Sequence, residues 1–126
     1  MNQTTSTKRR PIMLLVEDEP ALRRSLQLVL QGSGFTVRSY GSGATLLADP
    51  DAGGADALVA DYRLPDGDGL SVLRGLQAVG FRGQAILITA FGSPDLAVRA
   101  REAGFDRVFE KPLADRVLRD ALSGLV

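Results

Sequence analysis

The 126-residue chain contains no cysteine, no histidine and no tryptophan. Without cysteine there are no disulfides, no thiolate metal sites and no cysteine nucleophile. Without histidine, catalytic triads built on imidazole, His-ligated zinc and phosphohistidine chemistry within this chain are excluded as well. Charge of one sign is not in excess, since 15 basic and 15 acidic residues balance, so nothing global points to nucleic acid or an anionic membrane. No apolar run approaches a membrane span and no signal-peptide core precedes the first apolar segment. The expectation is a cytoplasmic protein with no membrane or direct nucleic-acid partner, whose chemistry comes from carboxylates, hydroxyls, Lys and Arg.

Apolar segments of two kinds alternate along the chain. Met1 to Arg10 is polar and ends in Lys8-Arg9-Arg10, the pattern of an unstructured tail; residues 11–126 read as one domain. Ile12-Met13-Leu14-Leu15-Val16 is a continuous apolar run, as expected of a strand buried on both faces. It stops at Glu17-Asp18-Glu19-Pro20, where Pro20 suits the first turn of a helix and Asp18 or Glu19 its N-cap. Leu22, Leu26, Val29 and Leu30 then repeat at helical spacing up to Gly32-Ser33-Gly34. Phe35 to Tyr40 alternates like an edge strand, and Ser42 to Ala48 reads as a short helix. Gly41-Ser42-Gly43 between them lacks the Gly-Lys-Ser/Thr ending of a P-loop.

Ala57 to Ala60 is a second buried run, ending at Asp61 in the loop Tyr62-Arg63-Leu64-Pro65-Asp66-Gly67-Asp68-Gly69. Leu70, Leu73, Leu76 and Val79 mark a third helix closed by Gly80. Ala85 to Ile88 is a strand ending at Thr89. Ser93-Pro94-Asp95 starts a helix carrying Leu96, Ala97, Ala100 and Ala103. Val108-Phe109 is a short strand ending at Lys111-Pro112, and Leu113, Val117, Ala121 and Leu125 suggest a last helix running to the C-terminus. Five strand–helix units predict an α/β fold: a single doubly wound, five-stranded parallel sheet, flavodoxin-like, in order 2-1-3-4-5.

In such a sheet the strand ends share one edge, which brings together Glu17, Asp18, Asp61, Thr89 and Lys111. Each has an ordinary explanation: a helix cap for Asp18, a turn for Asp61, strand propensity for Thr89, solvation for Lys111. Convergence on one edge favours a site. Two carboxylates about 4 Å apart repel by roughly 4 kcal/mol at an effective dielectric near 20. Three acids therefore call for a counter-ion, and Mg²⁺ with carboxylates, waters and a substrate phosphate fits. Asp61 would then be a carboxylate nucleophile, with Lys111 and Thr89 meeting the phosphoryl oxygens.

Leu15-Val16-Glu17-Asp18-Glu19, Asp61 to Gly69, Ile88-Thr89-Ala90 and Lys111-Pro112 together resemble the receiver domain of bacterial two-component response regulators, the CheY-like family. The resemblance implies Asp61 as phosphoacceptor and Asp18 as a Mg²⁺ ligand, with Glu17 acting directly or through water. It also implies the backbone carbonyl of Arg63 as a further ligand, Thr89 as the switch hydroxyl, Lys111 on the phosphate and a cis Lys111-Pro112 bond. The implied donor is a sensor histidine kinase or histidine phosphotransfer protein. The implied output is a protein partner, an output domain or a homodimer through helix 4, strand 5 and helix 5, where Arg99, Arg101, Arg107, Arg116 and Arg119 lie. One departure stands out: the family has an aromatic residue where this chain has Val108, with Phe109 expected to face the other way. Phe91, two residues after Thr89, is bulky where the family tunes access of water to the phosphoryl group.

Three functions follow. The first is a phosphorylation-controlled binding switch. The second is a phosphate shuttle or sink in a phosphorelay, and either could be a fragment of a longer transcriptional regulator. The third is an aspartyl-phosphate phosphatase of the haloacid-dehalogenase type. That enzyme needs a second acid where this chain has Arg63, so the expectation is no enzyme.

Overall fold

A computed structural model describes residues 9–125; the tail expected over Met1 to Arg10 therefore lies almost wholly outside the described residues. Five strands alternate with five helices: β1 (Ile12–Val16), α1 (Pro20–Gly32), β2 (Thr36–Tyr40), α2 (Gly43–Leu47), β3 (Ala57–Asp61), α3 (Gly69–Ala78), β4 (Gln84–Thr89), α4 (Pro94–Ala103), β5 (Arg107–Glu110) and α5 (Asp115–Leu122). All neighbouring strands are parallel and their order is β2-β1-β3-β4-β5, as the strand–helix alternation predicts. A two-residue antiparallel ribbon, Arg63–Leu64 with Gly67–Asp68, is an addition within the loop after β3. Among the described residues no helix is long and apolar enough to cross a membrane.

Strand alternation divides the core in two. Leu14, Val16, Leu58, Ala60 and Leu87 face Leu46, Leu73, Leu96 and Ala100 of α2, α3 and α4. Met13, Leu15, Ala57, Val59, Ile86 and Ile88 face Leu26 and Leu30 of α1 and Leu118 and Leu122 of α5. With helices on both faces, a strand has no wet side, which is why β1 and β3 read as unbroken apolar runs. Two aspartates placed just before strands tie those strands to their neighbours. Asp56 accepts the Ile12 N–H at 2.8 Å and Asp106 accepts the Ala85 N–H at 2.8 Å, each capping the neighbouring strand.

Helix boundaries follow local chemistry. Glu19, rather than Asp18, caps α1 by accepting the Leu22 N–H at 2.7 Å. Ser42, Asp68 and Ser93 cap α2, α3 and α4 in the same way. Gly104, at φ 116°, closes α4 in a left-handed conformation. Two apolar assignments shift. Val79 is exposed beyond the end of α3, and the buried stripe of α5 is Leu118 and Leu122 rather than Val117. The second shift is partial: α5 begins at Asp115, Leu113 packs against the core from just outside the helix, and Ala121 packs there beside Leu118 and Leu122, so of the expected stripe Val117 is the residue turned to solvent.

Gly69 is required by close approach. A Cβ there would lie 2.7 Å from the Asp61 carbonyl oxygen and 2.8 Å from Leu87 Cδ1. Gly69→Ala should lower stability by roughly 1–3 kcal/mol through overpacking. The expected result is a lower urea midpoint at unchanged slope.

Tyr40, at the end of β2, donates its phenol to Asp49. Partial burial, then this carboxylate, pushes its pKa from 10.0 up to about 12. The proton is held more tightly in the folded chain, so the stability linked to it is full below about pH 10 and is lost as pH rises toward 12. Ultraviolet titration should show a phenolate step near pH 12 that Tyr40→Phe removes.

Candidate functional site

The carboxyl ends of β1, β3, β4 and β5 meet at one edge of the sheet. Glu17 follows β1 and is 1% exposed, Asp61 ends β3 at 6%, and Thr89 ends β4 at 2%. These are the only buried polar or charged residues among the described ones. Burying acids without compensation is costly, and Lys111, just past β5, supplies the compensation. Its Nζ donates to Asp61 Oδ2 at 3.0 Å and lies 3.1 Å from Glu17 Oε1. Burial opposes the ammonium, but hydrogen bonds and charge from Asp61 and Glu17 outweigh it and raise the Lys111 pKa.

Glu17 is less well compensated. Its Oε2 accepts the Glu19 N–H at 3.0 Å, while its buried Oε1 accepts no hydrogen bond despite the nearby ammonium. Burial pushes the Glu17 carboxyl above its ordinary value, and the Asp61 charge adds to the rise against the lowering from Glu19 and Lys111. Asp18 is exposed, yet carboxylate oxygens of Glu17, Asp18 and Asp61 lie within 4.8 Å of one another. Three hard oxygen donors, one of them buried and without a hydrogen bond, fit a divalent cation such as Mg²⁺.

The other expected site residues divide. Thr89 stands one residue beyond the Asp61–Ile88 register pair, and its hydroxyl is turned to the main chain of Phe91, 3.3 Å from the nitrogen and 3.4 Å from the oxygen. Phe91 itself is 81% exposed, so its ring does not cover Asp61 here. Arg63 opens the ribbon opposite Asp68 with its side chain exposed. The Lys111-Pro112 bond is cis. Val108 packs toward α4 and Phe109 toward α1 and α5, as strand alternation predicts. The arginines of α4, β5 and α5 are exposed among Asp95, Glu102, Glu110, Asp115 and Asp120, which makes that face mixed rather than basic. Arg99 pairs with Asp95 at 3.7 Å.

Two contacts were not legible in the sequence. The Tyr62 phenol, on the residue next to Asp61, reaches Arg99 on α4 at 3.4 Å and packs in the same cluster as Val108. Asp66 accepts the Gly43 and Ala44 N–H groups at 3.1 and 2.7 Å, tying the loop after Asp61 to the start of α2. Neither has a sequence signal, because each joins residues more than 20 positions apart.

Comparison with known proteins converges on one family. The family model for the response regulator receiver domain matches residues 13–123. The transcriptional regulatory protein FixJ of Rhizobium meliloti is 37% identical over 109 residues, covering 86% of this chain and 53% of FixJ. The C4-dicarboxylate transport transcriptional regulatory protein DctD of the same organism is 35% identical over 112 residues, covering 88% of this chain and 24% of DctD. The chain thus spans about half, or less, of the length of these relatives. The crystal structure of FixJ-N superposes with a TM-score of 0.77 at 33% identity, covering 91% of this chain and 92% of that one. With the match running from β1 to the end of α5 across the edge where the acids, Thr89 and Lys111 meet, the chain belongs to the response regulator receiver domains of two-component systems.

Proposed function

We propose that this receiver accepts a phosphoryl group on Asp61 from a histidine kinase or histidine phosphotransfer protein and uses it to switch binding of a partner. The observation that carries the reading is the buried Asp61 carboxylate held by Lys111, which also lies 3.1 Å from the Glu17 Oε1 that accepts no hydrogen bond. An Asp61 oxygen forms the new bond to phosphorus. The bond from phosphorus to the donor's imidazole nitrogen breaks, and the electron pair leaves with that nitrogen. Glu17, Asp18 and Asp61, with the Arg63 carbonyl, would hold Mg²⁺, which when bound supplies charge neutralisation for the phosphoryl oxygens. Lys111 meets the same oxygens as a point charge, and Thr89 donates its hydroxyl once it leaves the Phe91 main chain.

No acid stands two positions after Asp61 to protonate a leaving group, so the module carries signal rather than turning over substrate. The output lies across α4, β5 and α5, to a cytoplasmic protein, an attached output domain or a second copy of the chain. A shuttle role in a phosphorelay is favoured by one observation, Val108, which leaves no aromatic ring on β5 facing α4. The test is incubation with a small phosphodonor and Mg²⁺, followed by intact mass measurement. One base-labile phosphoryl group per chain is expected, and no uptake overturns the reading.

A further inference from the structure

Glu17 is fixed by more than its neighbours in sequence. Its N–H donates to the Tyr40 carbonyl at 3.0 Å and its Oε2 accepts the Glu19 N–H at 3.0 Å. Its own carbonyl, buried just before the first turn of α1, has no strand or helix partner and instead accepts from Arg23 Nη1 at 2.8 Å. A buried carbonyl needs such a partner. Arg23 reaches it from α1 by passing Gly41, where a Cβ would stand 3.1 Å from Nη1. That gives the first glycine of Gly41-Ser42-Gly43 a role other than phosphate binding. Arg24, the next residue, is exposed, and its side chain makes no hydrogen bond or ion pair among the described residues.

We propose that Arg23 is a positioning residue for a divalent cation at Glu17, Asp18 and Asp61, holding the Glu17 main chain so that Oε1 faces the other two acids. This rests on the metal-site reading above. Orientation and charge have opposite signs here. A guanidinium near three carboxylates repels an incoming cation, so removing its charge alone tightens binding. Releasing the Glu17 carbonyl lets the carboxylate swing and weakens binding, and losing a residue that orients a ligand costs about 10–100-fold in metal affinity. Orientation matters most for Mg²⁺, which demands near-octahedral geometry, and least for the more adaptable Ca²⁺.

The experiment is calorimetric titration of the full chain with Mg²⁺ and, separately, Ca²⁺, in the wild type, Arg23→Gln, Arg23→Lys and Arg24→Gln. Arg24→Gln removes the same charge without touching Glu17 and should bind Mg²⁺ as well as the wild type or slightly better. Arg23→Gln should bind Mg²⁺ about tenfold more weakly or worse, with a smaller loss for Ca²⁺, and Arg23→Lys should fall between. Mg²⁺ binding by Arg23→Gln equal to or tighter than that of Arg24→Gln overturns the proposal, as does an equal loss for both cations. Should Arg23→Gln fail to fold, Arg23→Lys carries the comparison, and a match to Arg24→Gln for both cations refutes it. A wild type that takes up no Mg²⁺ refutes the underlying metal-site reading instead, a distinct result.

Discussion

Asp61→Asn is expected to reduce phosphoryl uptake below detection while leaving the fold intact. The two side chains have nearly the same shape, so β3 keeps its packing and an amide oxygen can still accept from Lys111, now 3.0 Å from Oδ2. What is lost is the anionic oxygen proposed to attack phosphorus; a carboxamide is a far poorer nucleophile. One acid fewer also weakens a divalent cation at the cluster of Glu17, Asp18 and Asp61. Stability without metal should hold or rise, because a buried charge has gone from beside Glu17. Intact mass after treatment with a small phosphodonor and Mg²⁺ reads the first effect and a urea midpoint the second. Stoichiometric labelling of the asparagine variant would place the phosphoacceptor elsewhere.

Lys111→Ala should produce the largest loss of stability at the site, and Mg²⁺ should reverse much of it. The ammonium is the one cation within ion-pair distance of Glu17 and Asp61 among the described residues, and their side chains are 2% and 7% exposed. Removing one partner of a fully buried ion pair costs about 3–5 kcal/mol. Lys111 retains 22% exposure, so about 2–4 kcal/mol is the expected cost after that discount. A divalent cation bound by the acids supplies the missing positive charge, and binding to the folded state alone stabilises it by mass action. The variant should bind Mg²⁺ at least as tightly as the wild type and yet fail to convert phosphorylation into a change at α4 and β5. Urea midpoints with and without Mg²⁺ check this, and loss of Mg²⁺ binding would move Lys111 from the phosphate to the metal.

The architecture was legible because the helices on both faces leave their mark on every central strand. Met13 to Val16 and Ala57 to Ala60 are fully buried and fully apolar, so the point at which each run stops marks the edge on which the buried acids stand. Glu17 and Asp61 follow from those stops, Thr89 and Lys111 from the ends of the later apolar segments, and the structure brings the four strand ends to one edge. Pattern left two things open: which of two neighbouring acids caps a helix, and which side chains cross between elements. Glu19 rather than Asp18 caps α1 because its carboxylate reaches the Leu22 N–H. On α5 spacing counted from Leu113 selects Ala121 correctly but also Val117, which is exposed, because the residues after Pro112 do not enter the helix until Asp115. Asp66 and Tyr62 act through contacts more than 20 positions away and Arg23 through a main-chain carbonyl six residues back, and a polar side chain carries no sign of such a partner in sequence.

The burial of the strands divides the site mechanically. Glu17, Asp61 and Thr89 stand at the ends of β1, β3 and β4, whose residues beyond the first are buried, whereas Lys111 hangs from the edge strand β5, half-buried at Val108 and Phe109 and exposed at both ends. In amide hydrogen exchange the strands bearing the acids and the threonine should open only with the whole domain, while β5 opens locally at lower cost. The acids are therefore set in the stiffest part of the molecule and their counter-charge in a softer one. A change of charge at Asp61 has one compliant direction in which to be relieved, outward through Lys111 into β5 and the helices beside it.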